Sequence, residues 1–287
     1  MKFDVVFSNP PYNRGMDIKI LKEILDFSEE VVVVHPSTWL FDMKGKSKLF
    51  VDFKKKINKK VESIETFNGS SVFGVVINSP VTITHINNTY EGSIEVNSFG
   101  TNFEADSIYE ITKYGNNWLK FIKSYYQSMS EYCSKHGSVW DYNKTSIDKT
   151  KFHCQLAANI GNINKNISAK ELYKDDFYTM IVKDENVNKG IRIPDITKPG
   201  NPIPTFEFAT EIERDNFIKY LKTDFARFNL SMLKNNPCVS LGEMELIPWL
   251  DFNEEWDDDK LFAKFNVSQE MQDYIRDFIP DYHGIRK

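Results

Sequence analysis

The chain has 287 residues, with 36 basic and 41 acidic side chains and a formal charge of −5. An apolar share of 41% and an aromatic share of 14% exclude a disordered tail, and the length suits one large domain or two ordinary ones. The longest unbroken apolar run is Val31–Val34, which excludes a membrane span, and residues 1–20 do not read as a signal peptide.

Cys133, Cys154 and Cys238 are odd in number and lack C-x-x-C spacing, which excludes a disulfide framework and a cysteine zinc cluster. The five histidines are dispersed, so no metal site is expected. A reduced, cytoplasmic protein is the expectation. Net acidity argues against a chain that is basic all over, while leaving room for a local nucleic-acid surface.

Phe3–Ser8 is short, β-branched and apolar, and it stops at Asn9-Pro10-Pro11, where a ladder cannot continue. A helix is predicted from a cap at Asp17 to about Phe27, with Ile18, Leu21, Ile24 and Leu25 on one face. Val31–Val34 then reads as a central strand, apolar on both faces. A helix over about 45–58 carries Leu49, Phe50, Phe53 and Ile57 inward. Val61–Phe67 is a further strand, Asn68-Gly69 a turn, and Val75–Ile86 a strand interrupted near Pro80. This alternation predicts half of a doubly wound α/β sheet closing with an antiparallel hairpin.

Beyond residue 92 the rhythm changes, and helices are hard to place until residue 211. Residues 185–205, with Pro194, Pro199, Pro202 and Pro204, read as a loop. A helix is predicted from about Glu211 to Leu233, and a last one capped by Ser268 with Met271, Ile275 and Phe278 facing inward. The expected organisation is 1–91, a partial catalytic core; 92–246, an α+β recognition region; and 247–287, a helical tail.

The sharpest chemical signal is Asn9-Pro10-Pro11-Tyr12 after an apolar strand. The prolines fix φ and remove two backbone donors, and Pro10 pushes Asn9 toward an extended conformation. The stiff exit presents the Asn9 side-chain oxygen and backbone carbonyls as acceptors, with the flat ring of Tyr12 beside them. An exocyclic amine on an aromatic ring is a poor nucleophile because its lone pair is delocalised. Two acceptors on its N–H bonds turn the nitrogen toward sp³ geometry, and an amide oxygen and a peptide carbonyl accept without titrating near neutrality. A stacked ring holds that nitrogen in line. No convincing Ser, Cys or His triad is present.

Phe-Asp-Val-Val-Phe-Ser-Asn-Pro-Pro-Tyr resembles the catalytic motif of N6-adenine DNA methyltransferases of the restriction–modification type. Val31–Leu40 resembles the next strand with its Pro-x-x-Trp-Leu exit, and Val61–Ile86 the closing hairpin, with Phe73 at the position of an aromatic that packs on the extruded base. Tyr220-Leu221-Lys222-Thr223, Ile247-Pro248, Trp256-Asp257-Asp258 and Leu261-Phe262 are similar to the tail of those enzymes. Glutamine and RNA methyltransferases share the four-residue motif, and the tail shifts the likeness toward DNA.

The resemblance implies the C-terminal half of a methyltransferase-like, Rossmann-type sheet, double-stranded DNA as partner, and S-adenosylmethionine as cofactor. Asn9 and the Pro10 carbonyl would hold the amino group, Pro11 would stiffen the exit, and Tyr12 and Phe73 would stack on the two faces of a flipped adenine. The chain departs from the family in one respect. The motif strand begins at residue 3 and no G-x-G occurs, so the residues that bind the cofactor stay unassigned. The expectation is a core completed by a second polypeptide, or by self-association, that covers Phe3–Ser8 as an edge. The other reading is a methyltransferase-derived binding protein without turnover, acting as a regulator or decoy.

For Asn9–Tyr12 the plainer alternative is an ordinary strand-to-loop turn, and for Phe73 a core aromatic. His35 reads as structural. Residues 44–60 hold eight lysines against Asp52 alone, read as a solvated helix face, with a phosphate-contacting patch as the other reading. Tyr125, Tyr126, Trp140 and Tyr142 read as core aromatics, with base contact as the alternative.

Overall fold

The computed structural model describes residues 2–43, 45, 47–75, 77, 80–144, 148, 150–158, 179–184, 205–233 and 241–279. Among these, the residues up to Lys123 form one compact unit and those from Ser124 onward a second.

The first unit runs β1 (Phe3–Ser8), α1 (Met16–Ile24), β2 (Ser28–Pro36), α2 (Lys48–Ile57), β3 (Val61–Phe67), α3 (Gly69–Phe73), β4 (Val81–Asn87), β5 (Ile94–Ser98) and β6 (Thr101–Ala105). Its six strands lie in the order β1-β2-β4-β3-β5-β6. β1 and β2 are parallel, with Ser8 opposite Val33, and β4 is antiparallel to both β2 and β3. β1, β2 and β3 therefore all end at one edge of the sheet. The α/β class and the closing hairpin predicted from the alternation are observed, with β4 inserted between β2 and β3.

The core is the alternate face of these strands. Val31, Val33, Ile64, Ile86 and Val96 are buried against Ile18 and Leu21 of α1 and against Phe53 and Ile57 of α2. Each such side chain contributes about 1.5–3 kcal/mol by leaving water. Ser47 caps α2 by accepting from the Phe50 amide.

Two local expectations are corrected. Asn68-Gly69 opens a helical turn rather than a simple reversal, because the Asn68 side-chain oxygen accepts from the Ser70 amide at 3.1 Å. The next strand starts only at Val81, so Val75 lies outside the ladder. The sheet also runs on past residue 91, since β5 adds in parallel to β3 and β6 pairs antiparallel with β5.

The second unit contains α4 (Lys123–His136), β7 (Phe152–Ala158), β8 (Thr179–Asp184), β9 (Thr205–Phe208), α5 (Glu211–Leu221), α6 (Asp224–Leu233), α7 (Asp258–Lys264) and α8 (Gln269–Phe278), with a three-stranded antiparallel sheet ordered β8-β7-β9. The single helix expected over 211–233 is two. Thr223 breaks it: its hydroxyl donates to the Tyr220 carbonyl at 2.7 Å and accepts from the Ala226 amide at 3.2 Å. Asp258 then accepts the first two amides of α6, Asp224 at 3.1 Å and Phe225 at 2.8 Å. The last helix is capped by Ser268 and buries Met271, Ile275 and Phe278, as its pattern predicts. Most of the loop expected at 185–205 lies outside the described residues, and Thr205 itself opens β9.

No helix among the described residues is long and apolar enough to cross a membrane.

Candidate active site

The exit of β1 sits at the sheet edge where β2 and β3 also end. Pro10 is buried, while Asn9, Pro11 and Tyr12 are exposed. The buried ring anchors the turn, and its neighbours project outward. Among the described residues, no hydrogen bond is donated to the Pro10 carbonyl, which leaves it available as an acceptor.

The Asn9 side-chain oxygen is engaged from within. The Tyr12 hydroxyl donates to it and also lies 3.3 Å from the Val34 carbonyl on β2. The expected acceptor is therefore capped by the expected stacking residue. Tyr12 is 38% exposed, and rotating it outward breaks its two surface hydrogen bonds, to Asn9 and to the Val34 carbonyl. Partial burial, and then the charge of Asp17, push the Tyr12 phenol above its ordinary pKa. The hydroxyl is thus a neutral donor at physiological pH.

Below this corner lies a buried polar cluster that the sequence reading resolved only in part. His35 is fully buried at the end of β2, its Nε2 3.0 Å from the Thr84 hydroxyl and its ring stacked on Trp39 at 5.2 Å. Asp17 does not cap α1. Gly15 is the cap residue, at φ +73°, and the buried Asp17 carboxylate stands 3.6 Å from His35 Nδ1. That distance is too long for a hydrogen bond. Burial lowers the His35 pKa against the opposing pull of Asp17, which suits the structural role expected of it. The signal for the cluster was Thr82 and Thr84 at inward positions of β4, on the same face as the apolar Ile86.

Phe73 ends α3 in the connection between β3 and β4. It is 45% exposed, and its ring centroid is 6.4 Å from that of Phe67. It is therefore not a core aromatic. Since β3 ends at the same edge as β1, topology brings Phe73 to the side of the sheet that carries Asn9. Three strand spacings separate β1 from β3, about 14 Å. A Pro80 carbonyl to Ser37 amide bond of 2.9 Å ties the same connection to the exit of β2.

The lysine-rich segment divides. Lys54 is buried and donates to the Leu40 and Asp42 carbonyls at 2.8 and 3.3 Å, and burial lowers its pKa to about 8. Lys56 holds the Lys22 carbonyl, Lys59 the Asp106 carbonyl and Lys60 the Asn88 side chain. Lys48 and Lys55 are exposed, and Lys44 and Lys46 lie outside the described residues. Half of the eight lysines thus fasten the fold, rather than forming one solvated or phosphate-contacting face.

In the second unit Tyr125 is buried, its hydroxyl 2.9 Å from the Asn229 side-chain oxygen, while Trp140 and Tyr142 are exposed. Tyr142 stacks on Trp249 at 4.0 Å. Among the described residues, no group of three or more histidine, cysteine or acidic side chains is placed to hold a metal.

S-Adenosylmethionine is not fitted by the described residues around the motif. The chain has no G-x-G turn, and the carboxylate that acts on Tyr12, Asp17, is buried toward His35 instead of offered to a ribose.

No family model and no curated protein matches the chain. One similar solved chain belongs to a type I R-M system, described for its complex assembly and conformational transition. The likeness covers 33% of this chain and 23% of that one, at 15% sequence identity and a TM-score of 0.28. The matched stretch is thus about a quarter of that chain, an extent that says nothing of activity, substrate or partner here.

Proposed function

We propose that the chain is the catalytic and target-recognition portion of a site-specific DNA adenine-N6 methyltransferase. The observation that carries this reading is the exit of β1: Pro10 buried, its carbonyl receiving no hydrogen bond among the described residues, and Asn9 and Tyr12 projecting beside it at the strands' carboxyl edge. Ligands of open α/β sheets bind at that edge. The antiparallel pairing of β3 with β4 supports the reading, because the resemblance implies a closing hairpin over Val61–Ile86.

In this mechanism the adenine is turned out of the duplex, since its amino group is unreachable in the stack. The amine displaces the Tyr12 hydroxyl from Asn9 Oδ1 and donates its two N–H bonds to Asn9 and to the Pro10 carbonyl. The Tyr12 ring then lies against one face of the base, and Phe73 closes on the other from the β3–β4 connection. S-Adenosylmethionine would supply the methyl group from a complementing polypeptide, because the residues described around the motif do not fit it.

The other reading, a binding protein without turnover, is favoured by one observation: Asn9 is already satisfied by Tyr12. Two measurements on the purified chain separate them. Fluorescence of 2-aminopurine at the target base is expected to rise on binding, and calorimetry with S-adenosylmethionine alone is expected to show no heat. N6-methyladenine formed with the complementing polypeptide should vanish in Asn9→Ala. Methylation unchanged by that substitution would sink the catalytic assignment, and micromolar cofactor binding by the chain alone would overturn the assigned seat.

A further inference from the structure

Among the described residues, the sheet has one dressed face and one bare one. α1 and α2 cover the first, while of these residues the α3 turn meets the second at its carboxyl end, where Gly69 approaches Val81. The pairing registers place Phe3, Val5 and Phe7 on that bare face, followed by Val32, Val34 and Ile83. Phe7 is 78% exposed, and Phe3 and Val5 are exposed beside it. Contiguous apolar surface of this kind marks an interface.

The same face changes character across its width. Glu65 lies opposite Ile83, Ser63 opposite Glu95, and Glu95 opposite Glu104, so three exposed carboxylates follow the apolar strip on β3, β5 and β6. They edge a concavity of about 600 Å³ that Ser63, Ile83 and Asn97 also line. His85 is the one basic side chain that the strands put on this face among the described residues, and it already sits 3.2 Å from Glu30 and 3.7 Å from Glu62.

The geometry points to a docking surface for a helix of a partner polypeptide laid across the strands, apolar where it meets β1, β2 and β4 and bearing lysine or arginine where it meets β3, β5 and β6. A helix of about 16 residues, about 24 Å long, covers the five strand spacings from β1 to β6. Charge selects against the other occupants. DNA would bring phosphates to a row of carboxylates. An anionic lipid surface would do the same. A second copy packed face to face would oppose glutamate to glutamate.

The test uses the whole chain and two synthetic amphipathic helical peptides, one of leucine and lysine and one of leucine and glutamate, in calorimetric titrations. The triple variant Glu65→Lys, Glu95→Lys, Glu104→Lys should weaken the leucine–lysine peptide by at least about tenfold and gain affinity for the leucine–glutamate peptide. A control of equal charge change in the second unit, Glu131→Lys, Glu254→Lys, Asp277→Lys, alters only exposed side chains and should stay within about twofold of the parent. Phe7→Ser should weaken binding at high as well as low salt, because its contribution is not screened. Equal losses in the two triple variants would reduce the effect to bulk charge and overturn the proposal. Absence of binding to the parent chain would overturn it too, as would a dimer in sedimentation that Phe7→Ser abolishes. No readout depends on methyl transfer, so failure here and failure of the catalytic reading are separable.

Discussion

The Tyr12 hydroxyl donates to the side-chain oxygen of Asn9, three residues before it, and in doing so closes the acceptor that the β1 exit presents. The two residues thus compete and cooperate: one must release the other before both can meet a base. Tyr12→Phe keeps the ring and removes the cap. One exposed hydrogen bond is worth about 0.5–1.5 kcal/mol, so the variant should bind a target-site duplex that keeps its adenine about two- to tenfold more tightly, read by fluorescence anisotropy of an end-labelled duplex. Tyr12→Ala should instead weaken it by about ten- to a hundredfold, the worth of one base–aromatic stack. Weaker binding by the phenylalanine variant would show that the hydroxyl assists the base rather than excluding it.

Gly15 is a position where sequence and geometry leave one residue. Its φ is +73°, and a Cβ built there would stand 2.8 Å from the Leu49 Cδ2 of α2. Gly15→Ala should cost about 1–3 kcal/mol in urea unfolding, chiefly from left-handed strain, with a smaller part from shifting the Leu49 side chain. The loss should come as a lower midpoint with an unchanged slope.

Asp258 stands at the start of α7 and supplies both hydrogen bonds that begin α6. Asp258→Ala leaves two partly buried amides without their acceptors and should lower stability by about 1–2 kcal/mol, measured by thermal unfolding. The loss should localise to α6 in hydrogen exchange.

Burial pushes the Cys133 and Cys154 thiols up to about 12, from an ordinary value near 9. At pH 8 the folded chain should therefore react slowly with thiol reagents at both positions, and quickly once unfolded. The same shift has a stability sign. Unfolded thiols lose their protons near pH 9, whereas folded ones keep them to about 12, so this contribution is complete below pH 9 and drains away between 9 and 12. Serine at both positions should flatten that alkaline decline in unfolding midpoint.

Much of the first unit was legible because its signals are local. Val31–Val34 announces a central strand by being apolar on both faces, and Ile18, Leu21 and Leu25 announce a helix by their spacing. What escaped the reading depends on distant partners. Nothing near Thr223 says that its hydroxyl will divide a long apolar pattern, nor that an aspartate 35 residues onward will cap the second half. α4 was missed because its buried stripe is thin, Tyr125, Met129 and Cys133 among serine, glutamine and glutamate. At the site, Asn9, Pro10 and Tyr12 were legible as a motif, whereas their mutual bond was not, since a side-chain rotamer leaves no mark in a sequence. Asp17 was misassigned because an acidic residue at a helix start serves equally as a cap or as a neighbour to a buried histidine.

β1 hydrogen-bonds to β2 alone among the described strands, and Asn9 is carried on its last link. A rib fastened on one flank is the first to open in native-state fluctuations, so its amides should lose protection before those of β2 and β4. Occupancy of its open flank and occupancy of its tip draw on the same local opening equilibrium. Whatever steadies the rib from the side therefore lowers the cost of ordering the tip, and each event strengthens the other.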